Sequence, residues 1–472
     1  MEQNAMMTIH GGEDTICAIS TAPGIGGIAV ARISGPRAIE ITDSLWKGRK
    51  LSAAESHTAH LGNIVDSRGE MLDQAVATVY RAPRSFTGED VVEISVHGSR
   101  WIQRELINAL CKAGCRLAEP GEFTRRAFSS GRIDLTEAEG IADMIASTSR
   151  AAHRAASVQM RGHFSEHLNE MRQKLIDLAS LMELELDFSE EEVEFASRTQ
   201  LTEIATSLLS SLEKLHASFA TGAAIKDGIP VAILGPTNAG KSSLLNALLQ
   251  DDRAIVSDIH GTTRDVIDDV IEMGDYLFRL KDTAGLRQTS DKIEQIGIQR
   301  SLQAAETARL ILFLIDLSAP EEAIKLLRQH TPALPQDSRL IVLLNKTDLV
   351  DDNSISENLS LIKEICHNAI ALDISTTREK DIERVRHAMI AEIDRSSEAA
   401  GDIIITNARH AQALSNAADS VRRVLDGLQA GISGDFIAQD IRETIHHLSA
   451  ITGAITTPDL LSTIFTRFCI GK

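Results

Sequence analysis

The segment GPTNAGKSS carries residue types and spacing that can bind the phosphates of a nucleotide. Gly235, Gly240, Lys241 and Ser242 fit the pattern G-x-x-x-x-G-K-[ST]. In this pattern glycines let backbone N–H groups wrap phosphates, the lysine reaches the outer phosphates and the serine hydroxyl holds Mg²⁺. The apolar run VAILG before it and the run SLLNALL after it predict the strand–loop–helix context that this chemistry needs.

Two further motifs follow apolar runs and suit the γ-phosphate and the base. In DTAG, Asp282 can act on magnesium and the Gly285 N–H can meet the γ-phosphate. In NKTD, Asp348 can accept both N–H donors of guanine's Watson–Crick edge while Asn345 orients the loop. Adenine would leave that carboxylate unpaired, at a cost of about 10⁴-fold or more in comparable sites. The ordered motifs therefore predict a guanine nucleotide site.

The remaining parts of this site are predicted in SDIHGTTRD and in a final loop that contacts the base. Gly261 gives the first segment flexibility and Thr263 is placed as a second hydroxyl ligand of Mg²⁺, beside Ser242. The base loop reads Ser375-Thr376-Thr377, where GTPases commonly show Ser-Ala-Lys or a similar sequence. The residues predicted to contact GTP are Gly235, Asn238, Ala239, Gly240, Lys241, Ser242, Ser243, Ser257, Asp258, Ile259, His260, Gly261, Thr262, Thr263, Asp282, Thr283, Ala284, Gly285, Asn345, Lys346, Thr347, Asp348, Ser375 and Thr376.

One catalytic group is missing from this set. Leu286 follows Gly285, where many GTP-hydrolysing proteins keep a glutamine that orients the attacking water. Phosphoryl transfer also needs positive charge against the charge that develops in the transition state. A leucine can neither orient the water nor supply positive charge. Another residue must therefore orient the water, and a cation must supply the charge.

The elements around these motifs predict several domains, since 472 residues exceed what one core usually serves. Short β-branched runs that alternate with helical segments predict an α/β domain with a mainly parallel sheet over 226–392. Helix-forming stretches with apolar residues three and four apart flank it, over 131–225 and 393–472, and predict a helical domain interrupted by the α/β domain. Residues 1–130 predict an α+β domain, with strands in TICAISTA, GIAVARIS, QAVATVYRAP and DVVEISVHGS and a helix from Trp101 to Gly114.

The composition limits the cell compartment and the kinds of partner that are expected. The net charge of −19 repels nucleic-acid phosphates on average, so contact with RNA requires a local basic patch or a partner protein. Five cysteines in so long a chain do not predict a disulfide framework, and neither a signal peptide nor a membrane-spanning run is apparent. A cytoplasmic protein is expected. Cys111 and Cys115 suit core packing better than a metal site, because no companion ligands accompany them.

A resemblance to a known family rests on motifs from all three predicted domains. TAPGIGGIAVARISG, SFTGEDVVEISVHG, GPTNAGKSS, AIVSDIHGTTRD, DTAGLR followed by EQIGIQR, and the terminal FCIGK resemble the bacterial tRNA-modification GTPases of the MnmE (TrmE) family. The resemblance implies a Ras-like GTPase domain inserted in the helical domain and an N-terminal domain that binds tetrahydrofolate and dimerises. It also implies a homodimer.

The resemblance supplies the missing cation and the missing catalytic group. Asn238 resembles the family's potassium-binding asparagine, and Ser257, Ile259 and Thr262 fall at its other K⁺ positions. Glu294 occupies the place of the family's catalytic glutamate, which works through a bridging water. On the residues alone, Glu294 would be interpreted as an exposed carboxylate on a helix beside Lys292.

The resemblance also implies a folate site and a functional tail. Arg32 and Glu93 match folate contacts, because a guanidinium suits a carboxylate and a carboxylate suits the N–H donors of the pterin. Arg132 stands where a lysine is expected, and Lys472 is the fourth implied folate contact. The tail Cys-Ile-Gly-Lys is implied to lie near the folate, with Cys469 needed for modification. Without the resemblance, an Arg32–Glu93 ion pair with a structural role is the simpler interpretation.

The function implied by the resemblance is a K⁺-stimulated GTPase that uses GTP, Mg²⁺, K⁺ and one-carbon-loaded tetrahydrofolate. With an FAD-binding partner of the MnmG (GidA) family, in a heterotetramer or larger assembly, it would install aminomethyl or carboxymethylaminomethyl groups at C5 of the wobble uridine of certain tRNAs. Two alternatives remain open. A regulatory GTPase of the ribosome-assembly kind would not bind folate, and a folate-dependent aminomethyltransferase would not need GTP.

Overall fold

The computed structural model describes residues 14–187, 198–250, 269–280, 304–335, 338–367, 369–401, 403–466, 468 and 471. They divide into two compact units, one drawn from residues 1–142, 159–169 and 449–472 and the other from 143–158 and 170–448. Among the described residues, no helix is both long enough and apolar enough to cross a membrane.

The first unit is built on a seven-stranded sheet. Its strands are β1 (Ile16–Ile19), β2 (Gly26–Ser34), β3 (Trp46–Lys47), β4 (Thr58–Val65), β5 (Met71–Tyr80), β6 (Val91–Gly98) and β7 (Arg116–Leu117). The order across the sheet is β3-β4-β5-β6-β2-β1-β7. All neighbours are antiparallel except the pair of β1 and β7, which is parallel.

Helices cover one face of this sheet. They are α1 (Ala38–Leu45) and α2 (Arg100–Lys112), and α3 (Glu122–Ser129) follows β7. Alternation along β2 turns Ala29, Ala31 and Ile33 towards the core shared with α1 and α2. The residues between them, including Arg32, therefore face the opposite side, where Phe123 of α3 packs. One face of β2 therefore packs against α1 and α2, and the other face packs against α3.

Cysteines contribute to the helix-covered core. Cys17 and Cys115 are buried there, and Cys111 is partly buried and packs against the same cluster. Burial raises the pKa of Cys111 to about 11, with a further contribution from Cys17. The three cysteines therefore pack as small apolar side chains.

The second unit contains a six-stranded sheet of β8 (Ile229–Leu234), β9 (Asp269–Met273), β10 (Tyr276–Leu280), β11 (Leu310–Asp316), β12 (Arg339–Asn345) and β13 (Ile370–Asp373). Its order is β13-β12-β11-β8-β10-β9. Only β9 and β10 pair antiparallel, so the sheet is mainly parallel as the sequence predicts. The chain moves from β8 to β10 on one side and then to β11 on the other. Ligands bind at such a switch point, beyond the carboxyl ends of the strands.

The helices found after α3 in the described part of the chain agree with the predicted fold class. They are α4 (Leu135–Ala146), α5 (Arg150–Met160), α6 (His163–Asp187), α7 (Arg198–Asp227), α8 (Lys241–Gln250), α9 (Glu321–His330), α10 (Asp352–Ile365), α11 (Glu379–Ala400), α12 (Ala408–Ala430), α13 (Gly434–Thr452) and α14 (Pro458–Phe465). The predicted fold class is confirmed, and the boundaries at 130, 225 and 392 stay predictions.

Helix α7, which precedes the α/β sheet, lies against the segment that follows α11. The buried Ser218 hydroxyl accepts the Ile405 N–H at 3.0 Å. A Cβ atom at Gly222 would collide with the Ile405 carbonyl oxygen, so only glycine permits this approach. The chain therefore enters and leaves the sheet region side by side.

Some elements were not predicted from the sequence. Strand β4 reads TAHLGNIV, where a glycine and an asparagine interrupt the apolar alternation. A Cβ atom at Gly62 would overlap the Trp46 indole, so the glycine is needed for packing within the strand. Strand β9 was missed as well, because its sequence DVIEM has only a short apolar alternation.

Candidate functional site

The predicted phosphate loop connects β8 to α8 at the switch point of the second sheet. Gly235 has φ +140°, and a Cβ atom there would lie 2.5 Å from the Leu314 carbonyl oxygen. Gly240 has φ +100°, and a Cβ atom would collide with the Asn345 side chain. The loop therefore requires glycine at both positions for conformation and for space. Its backbone N–H groups lead into the N-terminus of α8, which favours anions.

Lys241 is the first residue of α8, and its side chain contacts this loop. Its Nζ donates to the carbonyls of Gly235 at 2.8 Å and Pro236 at 2.7 Å. Burial lowers the pKa of Lys241 from its ordinary value. The Lys241 ammonium therefore already lies over the loop. When a nucleotide binds, it can donate to phosphate oxygens instead of these two carbonyls.

The NKTD motif is joined to both neighbouring loops through Asn345. The Asn345 Nδ2 donates to the Ala239 carbonyl of the phosphate loop at 2.8 Å. Its Oδ1 accepts the Thr376 N–H of the base loop at 3.1 Å. Asn345 is almost fully buried, at 1% exposure, so one side chain holds the phosphate loop and the base loop in register.

Asp348 is oriented by the base loop. The Ser375 hydroxyl donates to Asp348 Oδ1 at 2.6 Å, and the Thr377 hydroxyl lies 2.8 Å from the same Ser375 oxygen. This hydrogen bond from Ser375 is the main cause that lowers the pKa of Asp348. One carboxylate oxygen is therefore engaged with the protein, and the carboxylate stays ionised at neutral pH to accept guanine's donors.

Two acidic residues that the sequence analysis missed support these motifs. Asp316, at the end of β11, forms an ion pair with Lys346 of NKTD. Burial opposes the charge on Asp316, but hydrogen bonds from Lys346 and Ser318 outweigh it and lower its pKa. Asp381, in the first turn of α11, accepts the Ser375 N–H at 2.9 Å. Neither belongs to a local motif; the position of Asp316 at a strand end was the only signal in the sequence.

Several predicted site residues lie outside the described residues. They are Ser257, Asp258, Ile259, His260, Gly261, Thr262, Thr263, Asp282, Thr283, Ala284, Gly285, Glu294, Cys469 and Lys472. Four assignments therefore stay predictions. They are the switch segments, the second Mg²⁺ ligand, the K⁺ ligands other than Asn238, and the catalytic glutamate. Asn238 is described and has φ +64°, a conformation that asparagine tolerates better than most residues.

In the first unit, Arg32 and Glu93 form the second group of predicted site residues. They face each other on β2 and β6, and the Arg32 Nη2 lies 2.8 Å from Glu93 Oε1. The Arg32 guanidinium also lies 5.3 Å from the Phe86 ring centroid and 5.6 Å from that of Phe123. The Tyr80 hydroxyl is 3.5 Å from Glu93 Oε2, and burial with the nearby Glu93 charge raises the pKa of Tyr80.

The Arg32–Glu93 pair keeps access to solvent. The side chains are 20% and 25% exposed, so the carboxylate has an open side next to aromatic rings. This donor set fits a flat heterocycle that carries N–H donors, as a pterin does. Arg132 is exposed after α3, with its Cγ 3.4 Å from where a Gly88 Cβ would lie. No contact of Arg132 with Arg32 or Glu93 is found among the described residues.

The described part of the tail packs within the first unit. Phe468 joins a buried cluster with Leu135 and Phe465. The Ser20 hydroxyl donates to the Gly471 carbonyl at 3.0 Å. Ser20 follows β1 and lies two residues beyond Ala18, which pairs with Arg32. Gly471 of the tail therefore contacts the residue that follows β1, and β1 pairs with the strand β2 that carries Arg32.

The mainly parallel sheet, its glycine-bounded phosphate loop and the carboxylate poised beside it define a P-loop nucleotide-binding protein. Comparison with known proteins narrows this class. Models for the "MnmE helical domain" and for the "GTP-binding protein TrmE N-terminus" match residues 135–469 and 15–132. The chain belongs to the MnmE family of tRNA modification GTPases.

Individual relatives agree with this placement over nearly the whole chain. The tRNA modification GTPase MnmE of Parabacteroides distasonis is 48% identical over 97% of this chain and 100% of its own length. The protein of the same name from Bacteroides thetaiotaomicron is 46% identical over 98% of this chain and 100% of its own length. A GTP-binding protein from Sulfolobus solfataricus, solved with GDP, is 21% identical over 48% of this chain and 67% of that chain. Its TM-score of 0.28 is too low to support a conclusion.

Proposed function

We propose that this chain is a potassium-stimulated GTP hydrolase that acts in tRNA modification. With an FAD-dependent partner of the MnmG family, it adds aminomethyl or carboxymethylaminomethyl groups at C5 of the wobble uridine, using a one-carbon unit from tetrahydrofolate. The observation that carries the proposal is the junction at Asn345, which holds the phosphate loop and the base loop together in a chain of this family. That family favours tRNA modification over the ribosome-assembly alternative.

The nucleotide site can divide its work among the described residues. Backbone N–H groups at the start of α8 and the Lys241 ammonium can hold the phosphates, while Ser242 supplies a hydroxyl suited to Mg²⁺. Asp348, oriented by Ser375, reads the base. Mg²⁺ and K⁺ would add positive charge against the transferring phosphoryl group. Thr263 and Glu294 would complete the site from the segments outside the described residues.

The folate proposal rests on the open side of Glu93. Arg32 holds one carboxylate oxygen while Phe86 and Phe123 fix the guanidinium, so the carboxylate is positioned without being enclosed. A bound folate would supply the carbon that is transferred. The Ser20 hydroxyl binds the Gly471 carbonyl beside the same strands, and Cys469, two residues earlier in the sequence, is proposed to act in modification.

Potassium dependence gives the direct test of the hydrolase. GTP turnover of the full chain should rise by about tenfold or more when K⁺ replaces Na⁺ at equal ionic strength, because a well-placed charge stabilises the transition state. Asn238→Ala should lose most of this response. Asn238→Gly, which accepts the positive φ without strain, should behave in the same way if the side chain binds the ion. The exposed Asn353→Ala is the control, and equal rates in the two salts would refute the proposal.

Folate binding is tested at the Arg32–Glu93 pair. Arg32→Gln or Glu93→Gln should weaken binding of a reduced folate to the full chain by roughly 10- to 100-fold, the range for losing a charge-assisted hydrogen bond. Calorimetry measures the affinity and circular dichroism the fold. Arg37→Gln, which removes an exposed ion pair with Glu40 in the same unit, should change neither. Loss of the fold in the first two variants would assign the pair a structural role.

A further inference from the structure

Ser375 is fixed at its hydroxyl, at its backbone N–H and at its carbonyl, which accepts the Arg378 N–H at 2.9 Å. Only the hydroxyl of Ser375 contacts the residue that is predicted to bind guanine. Its hydroxyl donates to Asp348, whereas its backbone N–H donates to Asp381 Oδ2 at 2.9 Å. Ser375 itself is 1% exposed. The position of the hydroxyl that orients Asp348 therefore depends on a carboxylate from helix α11.

Asp381 is in turn held by Arg384. The Arg384 Nη1 donates to Asp381 Oδ1 at 3.2 Å and to the Asp373 carbonyl at 2.8 Å. Its Nη2 donates to Asp373 Oδ1 at 2.8 Å. Asp373 ends β13, so these contacts tie the first turns of α11 to the strand that leads into the base loop. We call Asp373, Asp381 and Arg384 the base-loop brace.

The brace adds to the other contacts that hold the base loop, in which Asn345 Oδ1 accepts the Thr376 N–H and the Thr377 hydroxyl lies beside that of Ser375. The base loop reads Ser375-Thr376-Thr377 and has no lysine or arginine within it. Asp381 is only 13% exposed on its side chain, so its hydrogen bonds compete little with water. A binding group must be held to about 0.5 Å to stay effective, and such precision comes from supporting residues.

We infer that Asp381, supported by Arg384, is a positioning residue that sets the selectivity of this site for guanine. The inference rests on the GTP binding of the proposed function. Guanine presents two donors, its N1–H and its 2-amino group, and both need a correctly turned Asp348 carboxylate. Hypoxanthine lacks the 2-amino group. Loss of the brace should therefore weaken GDP binding more than binding of inosine diphosphate.

A purely structural role for Asp381 makes a different prediction. An acidic residue in the first turn of a helix is stabilising wherever it lies, because of the helix dipole. Glu379 occupies the same turn, its side chain is 64% exposed, and it lies 3.5 Å from the Arg386 guanidinium. Glu379→Ala therefore removes the same charge from the same turn without touching Ser375.

The test measures dissociation constants of the full chain for GDP and for inosine diphosphate. Asp381→Ala should reduce the preference for GDP by about tenfold, the effect of about one net hydrogen bond. Glu379→Ala should leave the preference unchanged. In a Ser375→Ala background, Asp381→Ala should cause no further loss of preference, because the brace acts through Ser375. Arg384→Ala should cause a smaller loss, since the acceptor remains.

Three results would overturn the inference. The GDP preference could be unchanged in both Asp381→Ala and Arg384→Ala, it could fall equally in Glu379→Ala, or the Ser375 and Asp381 effects could add in full. If Asp381→Ala does not fold, Arg384→Ala decides the question alone. A chain that binds no GDP before any substitution would refute the proposed function and the inference together, whereas an unchanged preference with tight GDP binding refutes only the inference.

Discussion

Asp348→Asn should exchange the base preference of this protein from guanine to xanthine. Xanthine keeps the N1–H donor of guanine but carries a carbonyl where guanine has its 2-amino group. The asparagine amide matches this pattern, because its oxygen can accept the N1–H and its NH₂ group can donate to the carbonyl. The Ser375 hydroxyl, which donates to Asp348 Oδ1, would engage the amide oxygen and turn the NH₂ group towards the base. We expect kcat/KM for GTP to fall by about 10⁴-fold, as in sites that lose a paired polar contact. Activity with xanthosine triphosphate should rise in parallel.

The control for this exchange is Asp351→Asn. Asp351 caps helix α10 by accepting the Ser354 N–H at 3.0 Å, and asparagine caps helices equally well. The same change of charge close to Asp348 should therefore leave both substrates unaffected. Retention of the GTP preference in Asp348→Asn would mean that another residue reads the base.

Glu294→Ala should lower GTP turnover by about 10²-fold while GTP affinity stays nearly the same, since a group that orients the water acts in the transition state. Single-turnover hydrolysis and nucleotide binding separate the two quantities. Glu322→Ala, in the first turn of α9, removes an acidic side chain that belongs to none of the predicted site motifs and serves as the control. Hydrolysis at the original rate would return Glu294 to the interpretation of an exposed carboxylate on a helix.

The parts of the site that sequence could predict are those carried by neighbouring residues. The phosphate loop and NKTD each combine a strand, a turn and fixed polar positions within a few residues, so their spacing alone indicates their chemistry. The contact of Asn345 with Ala239 joins residues that are far apart in the chain, yet both belong to motifs, and the predicted site includes both.

The parts that escaped prediction depend on contacts between distant or unremarkable residues. Asp381 resembles any acidic residue in a first helical turn until the Ser375 N–H is seen to reach it. The glycine of β4 weakens the strand pattern, and only the Trp46 indole explains it. An Arg32–Glu93 ion pair is among the expectations from the sequence, but the register of β2 and β6 that places the two residues opposite each other is not.

The close approach of α7 to the segment around Ile405 makes the predicted GTPase domain a cassette. Its two connections leave from neighbouring points, fastened by the bond between Ser218 and Ile405 and by the contact at Gly222. Inserted domains whose ends lie together can be removed or exchanged without stretching the host. Replacing residues 226–392 with a short glycine-rich linker would thus preserve the helix junction. A chimaera that carries a foreign GTPase domain at this position would separate the contribution of the GTPase domain from that of the rest of the chain.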